Sequence, residues 1–325
     1  MAADAAGGEA GVTTGLIVGN FAPPHAGHVL LVETAQAMVD ELILLVIVAQ
    51  DEPIPFARRK AWIAELFPKA EVFPIDGIVA EAGGAYSERL AAILPKPIDL
   101  VFAGDGETLA LATALGARYV QIDPYYQTVP ITSAQVRADP IGNWRFVPPP
   151  VREHYARTIC LHGPESTGKS TLAPALAAHF DTLWLPEYGR TYCETFGLAL
   201  TMADLVAIAR THAAMTRAAK RQCNGRLILD TDPLMTAAWA DILFERSDPW
   251  LDRFTETADL YLLLDIDMPW VDDGTRFFGD EARRRRFLEC SRAQLDRRGL
   301  PYVLIGGPAE ERFDRSLEAI KAAGL

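Results

Sequence analysis

Apolar runs along the chain alternate with amphipathic stretches, and the alternation predicts an α/β protein. Residues 42–49 read Leu-Ile-Leu-Leu-Val-Ile-Val-Ala without one polar side chain. A bilayer takes about 20 such residues, so this run is expected to be a strand at 42–48 buried on both faces. Further strands are predicted at 15–18, 99–103 and 119–122, then at 158–161, 182–185, 226–230, 259–264 and 301–305. Amphipathic helices fit between them. Over 202–221, for example, Leu205, Ile208, Ala209 and His212 recur at helical spacing. Two segments repeat one order of parts: strand 15–18, glycine-bearing loop 19–27 and helix 28–39, then strand 158–161, loop 163–168 and helix 169–180. Each looks like the first strand–helix unit of a parallel-sheet domain.

The chain has 325 residues, 50% of them hydrophobic and 23% charged, which suits about two domains of roughly 100–200 residues with separate cores. Val147-Pro148-Pro149-Pro150-Val151 is the expected linker, because three prolines in a row cannot continue a helix or a central strand. The expected division is a tail at 1–12, domains at 13–147 and 157–325, and a linker at 148–156. A net charge of −12 argues against a broad nucleic-acid surface, and no apolar run is long enough to enter a membrane. The chain opens without a secretory signal, and its four cysteines show no metal-ligand spacing, so a reducing, cytoplasmic setting is expected. Assembly into a homo-oligomer is left open.

The first loop reads Gly19-Asn20-Phe21-Ala22-Pro23-Pro24-His25-Ala26-Gly27-His28. Gly27 would let backbone approach a ligand closely. The helix start that follows offers free N–H groups and a positive dipole end to a polyphosphate, and His25 and His28 could donate to phosphate oxygens as charge builds up. Metal ligation and plain helix capping are the alternatives, although HxxH shows no third zinc ligand. The loop resembles the GxFxPxHxGH signature of the HxGH nucleotidyltransferases. Ile131-Thr132-Ser133-Ala134-Gln135-Val136-Arg137 resembles the second signature of that superfamily, ISSTxxR, with Ala134 in place of a Thr. Thr132 and Ser133 could cap N–H groups or bind phosphate, and Arg137 could supply a phosphate fork. Arg59, in Arg58-Arg59-Lys60, is expected on a phosphate, with a solvated basic face as the alternative. Asp105, in Gly104-Asp105-Gly106, stands at the carboxyl edge of a strand, where open sheets bind ligands; a surface turn is the other reading.

Gly163-Pro164-Glu165-Ser166-Thr167-Gly168-Lys169-Ser170, followed by Thr171, satisfies GxxxxGK[ST]. Its backbone N–H groups are expected to wrap a β-phosphate, with Lys169 on the β and γ oxygens and Ser170 on Mg²⁺. Asp230 ends an apolar strand as a second candidate for the Mg²⁺, and Asp232 is a candidate for the acceptor. Glu187 could take a proton from an attacking hydroxyl, or it could serve only in a salt bridge. Tyr188, Arg190 and Asp272 are further acceptor candidates, and Trp144 and Trp62 are candidates for stacking on a base. Arg276 is expected to reach the moving phosphoryl group, and Arg283 to Arg286 to form either a lid over ATP or a solvated face.

The order of an HxGH domain, a linker and a P-loop domain, taken with Glu187-Tyr188-Gly189-Arg190, Asp230-Thr231-Asp232 and Trp270-Val271-Asp272-Asp273-Gly274-Thr275-Arg276, resembles the NadR family. The resemblance runs from about Thr14 to the end of the chain. It implies an N-terminal Rossmann-like nucleotidyltransferase domain and a P-loop NTPase-type kinase domain, both with parallel sheets. It further implies phosphorylation of ribosylnicotinamide by ATP in the second half. The first half would then join nicotinamide mononucleotide to the adenylyl group of ATP, giving NAD and pyrophosphate. Both steps would need Mg²⁺. The DNA-binding domain that some relatives carry ahead of the first strand is not expected here. An alternative keeps the kinase and makes the first half a nucleotide sensor.

Overall fold

The computed structural model describes residues 12–49, 51–76, 93–104, 106, 108–270 and 280–325. Asp105, Asp272 and Arg276, together with all but the last residue of the expected tail, lie outside the described residues. The chain forms two compact units, Met1–Val151 and Arg152–Leu325.

The first unit is a parallel sheet of β1 (Thr14–Gly19), β2 (Glu41–Val48), β3 (Glu71–Asp76), β4 (Leu100–Ala103) and β5 (Arg118–Gln121), in the order β3-β2-β1-β4-β5. Helices α1 (Ala26–Gln36), α2 (Phe56–Leu66), α3 (Leu109–Leu115) and α4 (Ser133–Ala138) accompany it. The apolar run of β2 is buried on both sides, as its sequence predicts. Leu42, Leu44 and Val46 join one core cluster with Ile17 and Phe102, and Ile43 and Leu45 join another with Leu16 and Val101. Gly15 lies where a Cβ would come within 3.0 Å of the Phe102 ring and 3.1 Å of Leu42, so a side chain there would press its packed neighbours aside. Strand β3, which carries Pro74, is not among the strands the sequence predicts. At the sheet edge the proline's missing N–H removes no ladder bond on the open side.

In the second unit the strands are β6 (Arg157–His162), β7 (Leu183–Leu185), β8 (Arg226–Asp230), β9 (Leu260–Leu264) and β10 (Tyr302–Ile305), all parallel, in the order β10-β9-β6-β8-β7. Between them run α6 (Lys169–His179), α7 (Tyr188–Phe196), α8 (Met202–Lys220), α9 (Pro233–Phe244), α10 (Pro249–Asp252), α11 (Glu281–Asp296) and α12 (Ala309–Ala322). Ile159, Leu161, Ile228 and Leu262 meet Leu172 and Leu176 of α6 and Ile320 of α12 in one core. In each sheet the strand that precedes a glycine-bearing loop, β1 or β6, has neighbours on both sides. Its carboxyl end therefore opens at the point where strand order reverses, which is where doubly wound sheets bind ligands.

The division between the units falls inside the expected linker 148–156, but the segment is helical, which its prolines did not predict. A helix, α5 (Pro149–Tyr155), spans most of it. Pro149 and Pro150 occupy its first turn, where the N–H that proline lacks would have no helical partner.

Candidate active sites

The first site is built on the β1–α1 junction. His25 is the N-cap of α1. Its Nδ1 accepts from Gly27 N at 3.1 Å, and His28 Nδ1 accepts from His25 N at 3.2 Å, closing a capping box. Capping is thus a geometric fact for both rings, and it has a chemical consequence. A backbone N–H only donates, so each Nδ1 is the bare nitrogen and each ring proton sits on Nε2. Burial lowers His25 to a pKa of about 4, and burial together with His25 holds His28 well below its ordinary value. Near neutral pH the pair therefore presents two uncharged Nε2–H donors. The rings stack at 3.8 Å, and Phe21 backs His28 at 4.5 Å. Gly27 also makes room for the capping ring: a Cβ there would stand 3.0 Å from the His25 imidazole.

The second signature is latched onto this loop across more than a hundred residues of chain. Ser133 Oγ donates to Pro23 O at 3.0 Å, and Arg137 donates to Ala22 O. Thr132 caps α4, accepting from Gln135 N at 3.3 Å. These residues border one cavity of about 1000 Å³ together with Gly19, Asn20, Phe21, His25, Gly27 and His28. Tyr126 and Asp51 border it too, and no motif announced them. The turn that carries Tyr126 is fixed by Asp123, which accepts from the N–H groups of Gln127, Thr128 and Val129 at 2.8–3.0 Å.

Arg59 is not among the residues around this cavity. It is fully buried and donates to Asn20 O at 2.5 Å and Ile47 O at 2.9 Å, with Glu52 Oε2 at 2.5 Å from its Nη2. The expected phosphate contact is replaced by a brace that ties the first loop to the end of β2. Trp144 and Trp62 are 5% and 8% exposed and lie outside the cavity lining. In this geometry they are packing residues rather than a base platform.

The second site follows β6. Gly163 has φ +120°, and a Cβ would meet Leu264 O at 2.7 Å; Gly168 has φ +87°. Both positions exclude a side chain. Ser166 takes the left-handed region as well, at φ 59°. Thr167 Oγ1 donates to Pro164 O at 2.8 Å, and Lys169 Nζ donates to Gly163 O at 2.9 Å and Pro164 O at 2.7 Å. The lysine, 7% exposed, is held at the loop's mouth by carbonyls that a phosphate oxygen could replace. Ser170 and Thr171 open α6 on its exposed side. Arg312, silent in the sequence, is buried behind the loop and donates to Thr167 O, Ile305 O and Asp265 O at 3.1–3.4 Å.

Asp230 ends β8 at 1% exposure, and its Oδ1 has no hydrogen-bond partner among the described residues. A buried carboxylate oxygen left open beside a P-loop, with the Ser170 hydroxyl at the helix start, fits a hydrated divalent cation. Glu187, the N-cap residue of α7, has its carboxyl pushed up chiefly by burial, against the pull of Lys169. A cleft joins Gly163, Glu165, Lys169, Glu187 and Arg190 to Cys193, Leu205, Ile208, His212, Trp239 and Phe287. Neither Tyr188 nor Asp232 lines it. Tyr188 packs on the α8–α9 cluster. Asp232 caps α9 through Leu234 N at 2.9 Å and accepts from the Tyr261 hydroxyl at 2.6 Å; burial raises its pKa to about 6. It forms a buried trio with Cys160 and His162, whose ligand atoms lie within 4.8 Å of one another. Both Asp232 oxygens and His162 Nε2 already have protein partners, and three atoms are one short of a closed tetrahedral site.

Three of the four clustered arginines lie in exposed ion pairs: Arg283 with Asp280 at 3.3 Å, Arg285 with Glu281 at 2.8 Å and Arg286 with Glu245 at 3.0 Å. Arg284 alone turns inward, 5% exposed, and donates to Met268 O at 3.2 Å. The solvated-face reading describes the cluster better than the lid.

Comparison with known proteins matches residues 16–138 to the cytidylyltransferase-like family and residues 158–312 to an AAA domain. Fold and sites together define a two-part enzyme, a nucleotidyltransferase followed by a P-loop kinase. The trifunctional NAD biosynthesis/regulator protein NadR of Escherichia coli (strain K12) is 27% identical over 95% of this chain and 83% of its own length. The protein of the same description from Salmonella typhimurium is 27% identical over 94% and 82%. Crystal structures of NadR in complex with NR, and with NAD and AMP-PNP, superpose with TM-scores of 0.80 and 0.76 at 23% and 22% identity, each covering 97% of both chains. Over nearly its whole length the chain is similar to these NadR proteins of NAD biosynthesis. Among the described residues no helix is long and apolar enough to cross a membrane.

Proposed function

We propose that the chain phosphorylates ribosylnicotinamide in its second unit and adenylylates the resulting mononucleotide in its first, forming NAD. The observation that carries this reading is the presence of two polyphosphate cradles in one chain, each at the carboxyl end of a central parallel strand. The names of the related proteins and their bound ligands, NR, NAD and an ATP analogue, agree with it.

In the second unit the P-loop amides and Lys169 would hold the β- and γ-phosphates of ATP. Asp230 and Ser170 would hold Mg²⁺, which when bound neutralises developing phosphate charge. The 5′-hydroxyl oxygen of the acceptor attacks the γ-phosphorus, the bond to the ADP oxygen breaks, and the hydroxyl proton passes to Glu187. A carboxyl group whose pKa is raised by burial is suited to that transfer. Asp232, engaged as a helix cap, is set aside for the role. Arg190 borders the same cleft and can orient the acceptor. Trp239 and Phe287 stand 4.3 Å apart at 54°. That spacing leaves no room for a ring between them, so a flat base would lie against one face or part the pair.

In the first unit a phosphate oxygen of the mononucleotide attacks the α-phosphorus of ATP and pyrophosphate leaves. The step moves no proton. His25 and His28 supply hydrogen bonds from neutral Nε2–H groups that are already oriented by the capping box, and Arg137 with the Thr132 and Ser133 hydroxyls borders the same space. Such preset donors act where charge develops. The test is product analysis with ribosylnicotinamide, ATP and Mg²⁺. The expected products are the mononucleotide, then NAD with pyrophosphate. Mononucleotide accumulating without NAD would favour the sensor reading of the first unit, and no mononucleotide would refute the kinase reading.

A further inference from the structure

On the apolar face of α8 one position breaks the pattern. Leu205, Ile208 and Ala209 pack against α9, and His212, next on the same face, is 2% exposed and borders the acceptor cleft. Its Nε2 is shut off from solvent and has no hydrogen-bond partner among the described residues. A buried polar atom without a partner is unfavourable, and leucine or methionine would fill this part of a helix interface without that cost. Burial also lowers the ring to a pKa of about 4, so the cleft wall it forms is uncharged near neutral pH and repels no cationic pyridinium.

We propose that His212 is a specificity-determining residue of the kinase site, its Nε2 pairing with an uncharged polar group of the acceptor nucleoside, either the ring carboxamide or a ribose hydroxyl. The proposal rests on the kinase reading of this unit. It assigns the missing partner of Nε2 to the substrate, whose entry would have to displace the packing that shuts the atom off in the cleft. An acceptor that lacks the group leaves both the imidazole and its own site dry and unpaired, which is the strongest form of discrimination a small pocket has.

The test is steady-state phosphorylation by wild type, His212→Leu and His212→Gln. The acceptors are ribosylnicotinamide, the pyridinium riboside without the carboxamide, and the 2′- and 3′-deoxyribosides. His212→Leu is expected to raise KM for ribosylnicotinamide roughly 5- to 150-fold, the worth of one buried hydrogen bond left unmade, with KM for ATP unmoved. One analogue should be poor for wild type and no poorer for His212→Leu, which identifies the group that is read. His212→Gln should recover part of the loss. Wild-type KM and unchanged ranking of all four acceptors in the variants would overturn the proposal, as would a loss confined to kcat. If circular dichroism shows His212→Leu unfolded, His212→Gln decides on the same two criteria. A wild type that phosphorylates none of the four would sink the kinase reading itself, and this inference with it.

Discussion

Replacing Arg59 by alanine removes a fully buried guanidinium that holds two backbone carbonyls, Asn20 O and Ile47 O, and the Glu52 carboxylate. Glu52 is itself only 13% exposed at its side chain, so the substitution leaves a mostly buried anion unpaired together with two unsatisfied acceptors. Breaking a buried pair from one side costs about 3–5 kcal/mol. For a unit near 150 residues each kcal/mol lowers the melting point by about 2–4 °C, so the first unit should melt on the order of 10 °C lower. The second unit should melt unchanged, because the described bonds of Arg59 all lie within the first. Differential scanning calorimetry of the whole chain, with AMP-PNP to mark the kinase transition, reads both. Arg59→Lys keeps the charge but offers one donor head in place of a planar fork, and should recover less than half of the loss. The reasoning fails if Arg59→Ala leaves the first transition in place and instead raises KM for ATP in adenylyl transfer, the behaviour of a phosphate ligand.

Other substitutions separate the two sites. Lys169→Ala should abolish phosphorylation and spare adenylyl transfer, and His28→Ala should lower adenylyl transfer on the order of 100-fold and spare phosphorylation; coupled-enzyme assays of each half-reaction check both. Gly163→Ala should add about 1–3 kcal/mol of backbone strain besides pressing its Cβ against Leu264 O at 2.7 Å. Phosphorylation should be lost while NAD formation from supplied mononucleotide persists. For His25 the folded pKa of about 4 lies below the ordinary 6.5. Between those values the unfolded chain binds a proton that the folded chain refuses, so stability is full above pH 6.5 and falls as pH drops toward 4. The loss amounts to about 3 kcal/mol, and His28, shifted the same way, adds to it. Thermal melts of the first unit from pH 7 to 4 should be steeper for wild type than for His25→Asn.

The sequence by itself determined most strands of both sheets and both loops. Near-continuous apolar runs can only be strands buried on two faces, and a glycine-bearing loop between such a strand and a helix leaves little freedom for the backbone. That is why β1, β2, β6, β8 and β9 and the two cradles were legible, while β3, carrying Pro74 at an edge, was not. Composition placed the division at the proline run but missed the helix there, because proline obstructs the body of a helix and not its first turn. What only the tertiary structure decided is how polar side chains are used, since that depends on partners far away in the chain. Arg59 looked like a phosphate ligand until Asn20 O, Ile47 O and Glu52 were seen around it, and Asp232 looked like an acceptor contact until Tyr261 and Leu234 were. Arg312 and Trp239 carried no local signal at all. His212 was visible only as one more position on an apolar helical face. Its unpaired nitrogen became a property of the molecule when α8, α9 and the P-loop enclosed the cleft.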